Sequence, residues 1–321
     1  GDIVPIITSG LTASQWQMKK QSALAVKKLG ETASDSLTPF IGPLVKSLLA
    51  ELPGRLWEGK ECLLEAIGAL SSHPKFAESV DAAAVVAGVA AAAERKKKVY
   101  KQAAVKCLGE VITGLPSHDS FSAVGKFLLD GINAPPTAPK KSVLESSEAG
   151  GAEEEEEASN LAPPVEALQC LAALCKSASA GTMTQQGSAV LEAIKVSMDV
   201  NRSWAVRTAA LDTGKIFIEQ VKQRSESGAV ASGLPLEWAE SMLPCVLACS
   251  EDLKMSQVRT GVAEWIQGVV PALGGVSTFA IASQQNIQKC VDTLSNDRNS
   301  GVKSIALRVG DVLRGAAPMQ L

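Results

Sequence analysis

A short theme recurs along the chain: a tryptophan or polar residue opens a segment, a base follows three places on, and small or aliphatic residues then return at helical spacing. SQWQMKKQSALAV sets Trp16 before Lys19, LWEGKECLLEAI sets Trp57 before Lys60, SWAVRTAAL sets Trp204 before Arg207, and SQVRTGVAEWI sets Ser256 before Arg259. Further starts fall near Arg95, Val165 and Ser300, so successive units lie 41, 38, 70, 39, 52 and 44 residues apart. KKQSALAVKKLGE at 19–31 and KVYKQAAVKCLGE at 98–110 match most closely, down to a shared Leu-Gly-Glu ending. A chain built this way repeats one structural unit.

The period is that of two-helix HEAT-type repeats, roughly 40 to 47 residues. Each opening helix is followed by a second amphipathic segment such as LTPFIGPLVKSLLAEL or FSAVGKFLLDGI, and breakers such as Pro53-Gly54, Pro116 and Pro163-Pro164 part them. The composition agrees, with 46% hydrophobic residues but only 4% aromatic ones, a bias toward helix over sheet. One hairpin cannot bury both faces of its apolar stripe, so neighbours stack into an all-α solenoid with a continuous core. Trp57 is expected on the first turn of a helix starting near Arg55 or Leu56, with Leu63, Leu64 and Ile67 below it. Trp57 and Trp204 read as core wedges between hairpins, and Lys60 as a seam residue whose ammonium stays in water. GDIVPIITSGL reads as the second half of a hairpin, expecting upstream repeats of the same parent chain.

One region departs from this pattern. Residues 132–164 open and close on prolines and hold five consecutive glutamates, with no apolar face to offset the entropy of ordering. The expected organisation is therefore repeats over 1–131, a disordered acidic insert over 132–164, and repeats over 165–321.

The formal net charge is −3, and because seven acids and no base sit within 143–162, the remainder carries +4. That is too weak and too scattered for a nucleic-acid binder, which needs a dense basic stripe with interleaved aromatics. The densest positive run, Arg95, Lys96, Lys97, Lys98 and Lys101, reads as a solvated helix start or as a contact patch for an acidic partner. Seven scattered cysteines read as reduced core thiols, and neither the Cys170/Cys175 nor the Cys245/Cys249 pair has the companions zinc requires. The two histidines, His73 and His118, lie in turns, and no GxSxG, HExxH, phosphate loop or GxGxxG is present. No stretch is long and apolar enough to span a bilayer. No catalytic, cofactor or metal residue is assigned.

GRLWEGKECLLEAI, from Gly54 to Ile67, together with SQWQMKKQSALAV and SQVRTGVAEWI, resembles the C-terminal HEAT repeats of the large adaptor and scaffold proteins that associate with the 26S proteasome. The order of the pieces and the acidic insert are similar to that family as well. The resemblance implies a non-enzymatic scaffold that bridges the regulatory and core particles, stabilises or polices their assembly, and tethers proteasomes to other machinery. It implies a cytoplasmic and nuclear location, with peripheral association with endomembranes as a further option. The alternative is a transport-receptor-like or phosphatase-scaffold HEAT module with a different partner.

Overall fold

Helix starts follow local chemistry. Ser179, Ser203 and Asn299 accept hydrogen bonds from backbone amides two or three residues on, capping the helices that follow. Pro164 and Pro235 sit in first turns, where their missing N–H costs nothing. A computed structural model of the chain describes residues 3–32, 35–135 and 161–314. Among them are fifteen α-helices and no strand. They are α1 (Ile3–Leu11), α2 (Trp16–Glu31), α3 (Thr38–Glu51), α4 (Glu61–Ser71), α5 (Phe76–Ser79), α6 (Ala82–Ala93), α7 (Lys98–Gly114), α8 (Phe121–Asn133), α9 (Pro164–Ser177), α10 (Ala180–Ser197), α11 (Trp204–Glu226), α12 (Leu234–Cys249), α13 (Ser256–Ala272), α14 (Ile281–Leu294) and α15 (Ser300–Leu313).

The helices form two rows. In one, α2, α4, α7, α9, α11, α13 and α15 pack each against the next, in parallel. The other row, α1, α3, α6, α8, α10, α12 and α14, packs more loosely along its length. Buried Val26, Leu63, Leu108, Leu171, Leu211, Ile266 and Val302 of the tight row join Leu44, Val86, Leu128, Ile194, Met242 and Ile287 of the other row in one core, as an α-solenoid requires.

The pairing of helices differs from the sequence reading by half a repeat. Each tight-row helix packs on the helix before it, giving α1–α2, α3–α4, α6–α7, α8–α9, α10–α11, α12–α13 and α14–α15 as hairpins, with α5 an extra turn beside the third. The first segment, α1, is thus the opening helix of the first hairpin. The stretch expected as an acidic insert falls inside one hairpin, between α8 and α9. Its ends are packed: Ile132 lies in α8, and buried Ala162 sits against Gly131. Residues 136–160, with the glutamate run, lie outside the described residues.

Glycine sets the closeness of the tight row. A Cβ on Gly30 would stand 2.8 Å from the backbone carbon of Ala69 on α4, and one on Gly109 would stand 3.3 Å from Cα of Cys170 on α9. The shared Leu-Gly-Glu ending is therefore a helix-contact motif, with no room for a side chain at Gly30 and a tight approach at Gly109.

Candidate functional site

Because the two helices of a hairpin run in opposite directions while successive hairpins run the same way, every turn within a hairpin emerges on one edge of the stack, and the recurring bases gather there. Arg207 of α11 donates to Asp252, in the next hairpin's turn, at 2.6 Å. Arg259 of α13 repeats the arrangement one unit on, with Nε and Nη2 on the two carboxylate oxygens of Asp297 at 2.6 and 3.0 Å. It also bonds the carbonyl of Asp252. At the other end Lys19 of α2 pairs with Glu51. Lys19, Arg207 and Arg259 thus each reach forward to an acid at or beside the following turn, as rungs of a ladder.

The electrostatics follow from the geometry. The Arg259 hydrogen bond, opposed in part by burial, holds the Asp297 carboxyl below its usual range. Burial opposes ionisation of Asp252, but the amides of Met255 and Lys254 and the Arg207 charge outweigh it, and its pKa is lowered too.

Lys60 corrects the expectation of a hydrated ammonium. It is 1% exposed, and its Nζ donates to the carbonyls of Leu52, Gly54 and Arg55 at 2.9, 2.8 and 3.3 Å. Burial, then the Arg95 charge, lowers its pKa to about 8. A turn that ends α3 with free carbonyls needs such a donor, and Lys60 fills that role.

The tryptophans divide, Trp57 packing against the core between hairpins and Trp204 standing outside it. Trp57 precedes α4, which begins at Glu61 because Gly59 takes a positive φ of 85°. Its ring, half-buried, stacks on Trp16 with centroids 6.0 Å apart, joining two turns on the edge. Trp204 is 45% exposed at the start of α11. The tryptophans of the core are instead Trp265 and Trp238, the latter stacked on Phe217 at 5.0 Å.

The basic run divides. Arg95 reaches back to the carbonyls of Pro53 and Gly54 in the preceding turn, Lys96, Lys97 and Lys98 lie in the turn or at the helix start, and Lys101 is 1% exposed and belongs to the interior. Lys101 is therefore no surface contact, and burial lowers its pKa. Arg95 belongs with two arginines that the sequence reading passed over. Arg202 donates to the carbonyl of Ile132 at 3.1 Å, and Arg298 donates to that of Leu253, each binding its turn to the one before. Asp252, Asp297, Arg202 and Arg298 all lie in short polar turns just before a tight-row helix, the signal that could have found them.

Chemistry elsewhere is structural. The Asp119 carboxylate of the SHDS stretch accepts from the Ser179 amide at 2.9 Å and from the Thr182 hydroxyl at 2.6 Å, so it ties one inter-hairpin connection to the next. Burial pushes the Cys62 and Cys175 thiols up to about 12, leaving them protonated. Among the described residues no group of three or more His, Cys, Asp or Glu could hold a metal ion, and no helix is long and apolar enough to cross a membrane. A groove of about 330 Å³ crosses α7, α9 and α11, with Lys106, Glu110, Glu166 and Asp212 at its walls. Burial raises the pKa of Glu110 and of Asp212 there.

Comparison with known structures places the architecture. Importin beta, from a polyethylene glycol condition, superposes with a TM-score of 0.70 at 13% identity, over 98% of this chain and 37% of that one. Yeast importin-beta (Kap95p) gives 0.56 at 15%, over 99% and 36%. At such identity the likeness is one of fold.

Sequence relatives are more specific. The proteasome-associated protein ECM29 homolog of Drosophila melanogaster is 35% identical over 128 residues, 38% of this chain and 6% of that protein. The proteasome adapter and scaffold protein ECM29 of Homo sapiens is 26% identical over 152 residues, 46% of this chain and 8% of that protein. The chain thus spans a small part of the length of either relative. A family profile described as "ECM29, C-terminal ARM-like repeats" matches residues 82–310. That range takes in the alanine-rich α6 and begins downstream of the Gly54–Ile67 stretch. With most of its length so matched, the chain belongs to the family of ECM29 C-terminal ARM-like repeats.

Proposed function

We propose that the chain is a non-enzymatic scaffold segment that associates with the 26S proteasome. The observation that carries this reading is the family match over residues 82–310, together with relatives named as proteasome-associated adaptor and scaffold proteins. The solenoid supports the mechanism: stacked hairpins give a long surface able to touch two bodies at once. In the finer reading it bridges regulatory and core particles and steadies their assembly, in cytoplasm and nucleus. The proposed contact is the turn edge at Arg95, Lys96, Lys97 and Lys98, with Lys101 removed from the patch by its burial. Exposed Ile3 and Ile6 on α1 offer an apolar face on which a further hairpin would stack.

Affinity capture with the intact chain tests the reading. Recovery of regulatory- or core-particle subunits, reduced by the double substitution Arg95→Glu and Lys98→Glu, is the expected result. Recovery of a nuclear-import cargo or a phosphatase catalytic subunit in their place overturns it.

A further inference from the structure

Helix α15 is the last described helix of the tight row, and it leaves open a face that α2 and α11 cover. In α11 the fourth, eighth and twelfth residues point at the next hairpin. Arg207 pairs with Asp252, a methyl of Leu211 lies 3.0 Å from where a Cβ on Gly261 would stand, and the methylenes of Lys215 lie over Gly268. In α2 the same places hold Lys19 on Glu51, fully buried Ala23, and Lys27 on Glu65 of α4 at 2.9 Å. In α15 they hold Lys303, Leu307 and Asp311. All three are exposed, Leu307 to 45%, and among the described residues the Lys303 ammonium meets no acceptor.

The order of charges makes this face complementary to itself. Residues four apart form one ridge of a helix surface. Along it α15 presents a cation, an apolar side chain and an anion, with an acid where α2 and α11 carry a lysine. A second copy laid parallel would set Lys303 against Lys303. Laid antiparallel, with the two Leu307 side chains at the crossing, it sets each Lys303 against the other copy's Asp311, because both stand four residues from Leu307. The other cations of α15 do not undo this match. Arg314 is held by its own Asp311 at 2.9 Å and lies along Gly310, and Arg308 projects about 100° round the helix from Leu307. A carboxylate has lone pairs enough for both bases.

We propose that α15 pairs two copies of this chain antiparallel about a two-fold axis, through Lys303, Leu307 and Asp311. The proposal stands on α15 alone and does not rest on proteasome association. Such a contact closes at two copies and leaves the turn edges of both free for other partners. One helix face buries less than the roughly 1,600 Å² of a standard interface, so the pairing is weak and forms where copies are held close together.

The test is sedimentation equilibrium of the intact chain from about 5 to 500 µM. The average mass is expected to rise toward that of two copies and no further. Leu307→Glu, Lys303→Glu and Asp311→Lys, at exposed positions that leave the circular dichroism spectrum unchanged, are each expected to weaken pairing at least about tenfold. Reversing both charges in one chain is expected to restore it, and an equimolar mixture of the two single charge variants is expected to pair as the wild type does. Truncation after Arg314, and Ile6→Ser on the exposed side of α1, are expected to leave pairing intact. A mass that stays at one copy would overturn the proposal. So would loss of pairing in either of those controls, single charge variants that mixing does not rescue, or growth past two copies, which would mark head-to-tail stacking on α1.

Discussion

Arg259 presents its planar fork to Asp297 at 2.6 and 3.0 Å with both partners nearly buried, the geometry in which an ion pair exceeds the small contribution of an exposed one. Asp297→Asn is expected to destabilise the chain by about 1–3 kcal/mol, read from its denaturant midpoint. The pH dependence has a definite sign. A carboxyl whose folded pKa is lowered adds stability above its unfolded value near 4 and loses it as pH falls through the folded pKa. The wild type is therefore expected to lose stability more steeply below about pH 4 than Asp297→Asn does, as acid titration at fixed urea would register. Lys60 sets desolvation against three carbonyl acceptors. Lys60→Met is expected to cost about 1–3 kcal/mol, since the Leu52 carbonyl in the interior loses its donor, whereas an unchanged midpoint would mean that desolvation outweighs those bonds. At this scale the sequence made the recurring bases visible but not their settings. A lysine among polar residues looks solvated until the carbonyls that surround it come from a turn eight residues back.

Between elements, close approach decides stability. Gly30→Ala would push a methyl into the α4 backbone, and the expected loss is about 1–3 kcal/mol. Gly233, with nothing within 4 Å of its virtual Cβ, is the control, and Gly233→Ala is expected to change stability by less than about 1 kcal/mol. Helix starts were legible at Trp16, Trp204, Ser256 and Ser300, each the first residue of its helix, and a capping Ser203 or Asn299 marks the second and the fourth. They were missed at Trp57 and Arg95, where a positive-φ glycine and a run of lysines delay the helix by three or four residues. The half-repeat error in pairing has a simple origin. A solenoid packs each helix on both of its chain neighbours' rows, and periodicity alone carries no sign of which turn is the hairpin.

For the whole molecule, the two-row stack was legible because a strict period with no sheet-forming segment leaves few other ways to bury the stripe. Partner surfaces were not, since exposure at an edge depends on how turns stack. Nearest-neighbour packing predicts graded protection: amide exchange is expected to be slowest in α7 and α9, which lie between neighbours on both sides, and fastest in α1 and α15. Hydrogen-exchange mass spectrometry measures this, and uniform protection would indicate a cooperative globule instead. The forward-reaching ladder has a mechanical consequence. Tension along the stack loads its rungs in series, like rivets joining overlapping plates. Carboxylate rungs such as Arg259–Asp297 resist shear longer than the carbonyl grip of Arg95 on the Pro53 turn. Under pulling, seams held by carbonyl grips, such as Arg95 on the Pro53 turn and Arg202 on Ile132, are expected to give before the Arg259–Asp297 seam, so that the last two hairpins travel together.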